Sequence, residues 1–223
     1  MKNIITQFNK AFTLAEVLIT LVIIGVVAAL VISPLINTYV ESSTVAKVKK
    51  DMSIIGQAVK LAEIQNGPIS GWDFEDVYSA QSAVQFWNYL KPHLSVIKDC
   101  GASQNCYQSD GVYLMNGTKW DVNFNTDSRY YKIILSDGSV MWFRTSITGK
   151  CQDSDAQVDN TCAMFWHDVN GDKKPNMFGK DVFRYAYTVG GIYPDGNNDC
   201  YIGGRGMGCS SYIIRHNNMK YLH

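Results

Sequence analysis

The chain has 223 residues with 20 basic and 20 acidic side chains, so its formal charge is zero and it lacks the general electrostatic attraction of a nucleic-acid binder. A hydrophobic share of 46% suits one or two folded domains. Six cysteines against four histidines favour disulfide chemistry over histidine-centred catalysis.

In chain order, Met1 to Ala11 carry Lys2 and Lys10 and no acid. Val17 to Ile36 follow as 20 consecutive uncharged residues, enough at about 1.5 Å each to cross the ~30 Å hydrocarbon core. Positive charge ahead of such a run predicts a cytoplasmic N-terminus, with everything after Ile36 outside. A secretory signal would have a shorter apolar core and a small-residue cleavage site, which "VISPLINTYVESS" does not supply. One carboxylate, Glu16, interrupts the pattern near its start, where a charge costs about 2.5–3.5 kcal/mol. Cleavage between Ala11 and Phe12 would create an ammonium at Phe12, one helical turn from Glu16 on the same face. A buried carboxylate is tolerated once paired with a cation, whether that amine is its own or an adjacent subunit's.

Lys10 to Ile36, "KAFTLAEVLITLVIIGVVAALVISPLI", resembles the prepilin-type cleavage and methylation segment of type IV pilins and type II secretion pseudopilins. The resemblance implies cleavage by a prepilin peptidase, N-methylation of Phe12, and a role for Glu16, the fifth residue of the mature chain, in registering subunits. Leaders of that family usually end in Gly; here Ala11 holds the place. The partners it implies are other pilin or pseudopilin subunits and an inner-membrane assembly platform. The location it implies is a single-pass inner-membrane precursor, then a periplasmic or cell-surface filament.

Beyond Pro34, which should kink the helix without ending it, Val45, Val48, Met52, Ile55, Val59 and Ala62 recur at helical spacing as one apolar stripe. Lys47, Lys49, Lys50 and Glu63 fall largely off it, and "QNGP" at 65–68 is a stop signal. A second helix is expected from Asp73 to Leu94, with Val77, Ala80, Val84, Trp87 and Leu90 on one face. Asn116-Gly117 and Asp137-Gly138 each sit between apolar runs and predict hairpins, hence a sheet of about four to six strands. The tail from Ser211 to Ile214 reads as a closing strand. The expected fold is α+β and pilin-like: a long N-terminal helix whose second half packs on a small antiparallel sheet. Its expected parts are a leader at 1–11, a transmembrane and filament-core helix at 12–36, an amphipathic continuation at 37–66 and an exported disulfide-containing domain at 67–223.

Cys100, Cys106, Cys151, Cys162, Cys200 and Cys209 all fall outside the membrane in this topology. Their short spacings favour Cys100–Cys106, Cys151–Cys162 and Cys200–Cys209 among 15 connectivities. A metal site would need a C-x-x-C pair or clustered histidines, and neither occurs. His167 and Asp168 are adjacent, so in a strand they point to opposite faces and make a poor catalytic pair. No cofactor is expected apart from a weak calcium candidate, Asp168, Asn170 and Asp172, which resembles the start of a calcium loop but has Lys173 and Gly179 where Gly and Glu belong. The competing reading there is a polar turn capping its own amides. The glycines of Ile202 to Cys209 lack the G-K-[ST] of a phosphate loop. A structural, non-enzymatic filament subunit is the reading that explains Glu16. A membrane-anchored binding module or adhesin that never polymerises is the alternative, and it gains nothing from an intramembrane carboxylate.

Overall fold

The computed structural model describes residues 13–74, 76–102, 106–107, 111–147 and 150–223. Helix α1 spans Leu14–Asn66 and continues through Pro34. The chain divides into two compact units, the first ending at Glu41 and the second comprising Ser42–His223. In the first, the apolar side chains from Leu14 to Val40 are almost all exposed, and the stretch is long and apolar enough to cross a membrane. An uncovered apolar surface of this length requires lipid or neighbouring helices.

In the second unit, Val45, Val48, Ile55, Val59 and Ala62 of α1 are buried, with Met52 partly so. The stripe expected from the sequence therefore faces the sheet, joined by one acid the pattern did not mark, Asp51, 2% exposed. The helix stops at Asn66, where Gly67 takes a positive φ of 81° and Pro68 cannot continue it.

One sheet follows, with seven strands among the described residues: β1 (Val96–Gly101), β2 (Tyr131–Leu135), β3 (Val140–Thr145), β4 (Asp153–Asp155), β5 (Val158–Asp168), β6 (Val182–Thr188) and β7 (Gly191–Pro194). The order is β1-β2-β3-β5-β6-β7, with β4 beside β5, and every pairing is antiparallel. The count exceeds the expected four to six because short β4 and β7 carry almost no apolar alternation of their own. Asp137-Gly138 makes the β2–β3 turn, with Gly138 at φ 82° and Leu135 N bonded to Ser139 O at 2.9 Å. Asn116-Gly117 also turns the chain, but its arms meet only at an isolated bridge, Tyr113 with Lys119.

Both faces of the sheet are covered, and β3 and β6 are buried throughout. Against one face lie α1 and α2 (Ala80–Leu90), whose Phe86 and Trp87 meet Phe143, Phe165 and Tyr131. Against the other, Tyr107 and residues 111–130 lay down a second core in which Phe124 stacks on Trp142 and Trp120 contacts Phe178.

Two sequence expectations need correction. Helix α2 is shorter than Asp73 to Leu94, because Ser79 and Ser82 form a capping box that fixes its start. Its buried face is Ala83, Phe86, Trp87 and Leu90, while Val84 is 41% exposed. The aromatic volume of Phe86 turned the helix away from the face first expected. The tail is a helix, α3 (Cys209–His216), closed by Asn217 at φ 56°. Burial of Cys209 and Ile213, four apart on one face, outweighs the β preference of Tyr212 to Ile214.

Candidate functional site at the start of the first helix

Ala11 and Phe12 lie outside the described residues, so the site is built from Thr13 onward. Thr13 sits just ahead of α1, and its hydroxyl accepts the Glu16 backbone N–H at 3.2 Å. The Glu16 carboxylate reaches back: its Oε2 accepts both the backbone N–H and the hydroxyl of Thr13, each at 2.8 Å. This is a capping box, with two otherwise orphaned amides satisfied reciprocally. Its signature, Thr-x-x-Glu, stands openly in "TLAE"; Thr13 is the residue that attention to Glu16 alone passes over.

The arrangement has a chemical consequence. The helix N-terminus carries partial positive charge, so a carboxylate in its first turn is stabilised even among apolar neighbours. Both bonds from Thr13 end on Oε2, which leaves Oε1 for a cation arriving from outside the described residues. An ammonium at Phe12 would stand next to Thr13 in the chain.

The other sequence candidates lie in the second unit. The cysteines stand in three pairs, Cys100–Cys106, Cys151–Cys162 and Cys200–Cys209, with Cα separations of 5.6, 3.8 and 4.8 Å. His167 and Asp168 do face opposite ways. His167 Nδ1 lies 2.6 Å from Asp51 Oδ2 of α1, close enough for an ion pair but not aligned as a hydrogen bond, and both are buried. Tyr185 donates to the same carboxylate at 3.3 Å. These groups fasten α1 to the sheet, and all three are buried.

Asp168 turns to the second core, where its oxygens accept Tyr107 Oη at 2.6 Å and Asn170 N at 3.2 Å. Burial, with Asp181 adding repulsion, pushes its carboxyl up to about 8. Asp181 is also raised by burial and accepts Asn176 N, Met177 N and the Asn170 side chain. Asp172 is exposed. Asp168 thus accepts from the distant Tyr107 as well as from its own loop, and among the described residues no group of three or more His, Cys, Asp or Glu side chains is placed to hold a metal ion.

Residues 7–32 match the prokaryotic N-terminal methylation motif, which spans Ala11, Phe12, Thr13 and Glu16 and marks a prepilin-like processed subunit. Residues 34–208 match a family of unknown function, DUF6613. No curated protein and no solved structure matches the chain. The second match covers most of the chain, so the protein belongs to the DUF6613 family, carried behind a methylation segment of the type IV pilin and pseudopilin kind.

Proposed function

We propose that this protein is a structural filament subunit of the type IV pilus or type II secretion pseudopilus kind. Prepilin peptidase removes residues 1–11, the new amine of Phe12 is methylated, and the apolar half of α1 then leaves the inner membrane to pack among its counterparts on an assembly platform. The observation that carries the reading is a methylation motif centred on a carboxylate that opens an exposed apolar helix. Glu16 supplies register: a charge in an apolar bundle has one low-energy position, opposite a cation, and the Phe12 ammonium of an adjacent subunit is the cation at hand.

The six paired cysteines support an oxidising location for the second unit, periplasmic or at the cell surface. The buried His167–Asp51–Tyr185 group supports a structural rather than enzymatic role, because its titratable atoms are spent on joining helix to sheet. The test is sheared filament yield, with mass spectrometry of the terminus, in cells with and without prepilin peptidase. Filaments carrying methylated Phe12, lost with the peptidase, are expected. A processed chain that stays monomeric in the membrane would favour the anchored binding module.

A further inference from the structure

All six cysteines are bridged, so methionine thioethers are the sulfurs left for a two-electron oxidant to attack. Among the described residues Met141, Met164, Met207 and Met219 are buried, while Met52, Met115 and Met177 are partly exposed. Exposure decides how fast each reacts. What the side chain touches decides whether the reaction matters, and Met115 is set where three segments of the second unit meet.

Its backbone N–H donates to Arg205 O at 3.1 Å, which joins the Asn116-Gly117 turn to the loop closed by Cys200–Cys209. Its side chain lies over Gly179. A Cβ built on Gly179 would come 3.1 Å from Met115 Cε and 2.8 Å from Cys209 Sγ, so the methyl group and the disulfide share the space that glycine leaves. Gly206, inside the disulfide loop, is as tightly placed: its Cβ would meet Met115 Cβ at 3.0 Å and Phe178 O at 2.7 Å. Gly179 O is fixed in turn by the Tyr221 hydroxyl, which donates to it at 2.7 Å. The thioether thus packs on the main core while one edge stays open to solvent.

We propose that Met115 is an oxidation site for peroxides and hypohalous acids, and that its sulfoxide releases the 200–209 loop from the 113–118 turn. With hydrogen peroxide, the Sδ lone pair attacks one oxygen, an S–O bond forms and the O–O bond breaks. The proton on the transferred oxygen goes to the departing hydroxide, which leaves as water. Sulfur gives up two electrons and the peroxide takes them. A flexible apolar group becomes a polar one carrying an extra oxygen. That oxygen must fit beside a glycine that has no room for a Cβ and a disulfide that donates no hydrogen bond. A close-packed joint accepts an added atom only by displacement. The segment free to move is the turn, exposed from Asn116 to Lys119, and its movement breaks the bond from Met115 N to Arg205 O. The chemistry is independent of the filament reading above, so each can fail alone.

The test exposes the purified full chain in detergent micelles to a series of hydrogen peroxide doses and reads every methionine by peptide mass spectrometry. Met115 sulfoxide is expected to form several-fold faster than sulfoxide at Met141, Met164, Met207 or Met219, with Cys200–Cys209 intact. Amide exchange at Gly204, Gly206 and Gly208 should quicken several-fold, in proportion to the Met115 sulfoxide fraction across the series. Met115→Leu, close in volume and not oxidisable, should keep slow exchange at doses that oxidise Met52 and Met177. Met115→Gln, which puts a polar group in the joint, should exchange fast without peroxide. Oxidation of Met115 as slow as that of the four buried methionines overturns the proposal. So does unchanged loop exchange at full Met115 sulfoxide, or quickening that follows Met52 or Met177 instead. Should Met115→Leu fail to fold, the dose series on the unaltered chain still decides, because the three sulfoxide fractions are read separately.

Discussion

Thr13 and Glu16 are each other's partner: the hydroxyl of one takes the other's amide N–H, and the carboxylate takes two bonds back. The acid that looked unaccompanied in an apolar run is therefore the third residue of a helix cap. This separates two duties of Glu16, opening the helix and carrying charge. Gln at that position can complete a capping box but has no charge, whereas Ala does neither.

Glu16→Gln is accordingly expected to leave α1 capped and the leader cleaved while abolishing or sharply lowering filament yield. Thr13→Ala should loosen the first turn by about 1 kcal/mol, seen as faster amide exchange at residues 14–17 in micelles, with a milder assembly defect that Thr13→Ser restores. Normal filament yield from processed Glu16→Gln protein would show the charge to be a passenger.

Asp168 predicts a pH dependence with a definite sign. Its carboxyl is pushed up to about 8 in the folded chain by burial, against about 3.9 when unfolded. Between those values the folded chain holds a proton that the unfolded chain has lost, so stability falls as pH rises from about 4 to 8. The loss is at most about 6 kcal/mol. Thermal unfolding of the full chain in detergent should show a falling midpoint across that window. Asp168→Asn, which keeps an acceptor for Tyr107, should flatten it.

Gly56 lies inside α1 where a methyl group would come 3.1 Å from Ile192 Cγ2. Gly56→Ala gains about 1 kcal/mol of helix propensity against a contact that Ile192, partly exposed on edge strand β7, can relieve by shifting. The expected result is near neutrality in urea midpoint. Gly56→Leu has no such relief and should cost about 2 kcal/mol.

Non-reducing peptide mapping of exported protein should recover Cys100–Cys106, Cys151–Cys162 and Cys200–Cys209. Replacing Cys200 and Cys209 together by Ser should cost about 2–3 kcal/mol and speed amide exchange through Tyr201 to Gly206.

The long-range design was legible because it obeys simple periods. The stripe from Val45 to Ala62 and the Asp137-Gly138 turn could be read directly. What resisted reading was whatever depended on contacts between distant segments. Strands β3 and β6 are buried on both faces, so they show no alternation by which to tell one face from the other. The second core is closed by Tyr107, Trp120 and Phe124, residues of irregular backbone whose role appears only once the sheet exists. The helix at Cys209–His216 was hidden because "SSYII" favours a strand locally, while Ser210, bonding Arg184 O at 2.7 Å, and buried Ile213 decide otherwise. At the candidate site the reverse held. Thr13 needed no tertiary information, only the Thr-x-x-Glu motif rule, whereas Ser79-x-x-Ser82 closes its box without the Glu or Gln that the rule looks for.

The bonds between α1 and the sheet also bear on mechanics. Lys47 reaches Val169, Lys50 reaches Asp137, Asp51 meets His167 and Tyr185, and Glu63 accepts Tyr187 Oη. These attachments are spread along about 24 Å of one helix. In a filament of the kind proposed, pulled along its axis, load would enter each subunit through that helix. Attachments strung along the pulling direction share the load in shear, whereas attachments at one end would tear in succession. The unit should therefore stay folded on its helix under forces that would peel away a domain held at a single point.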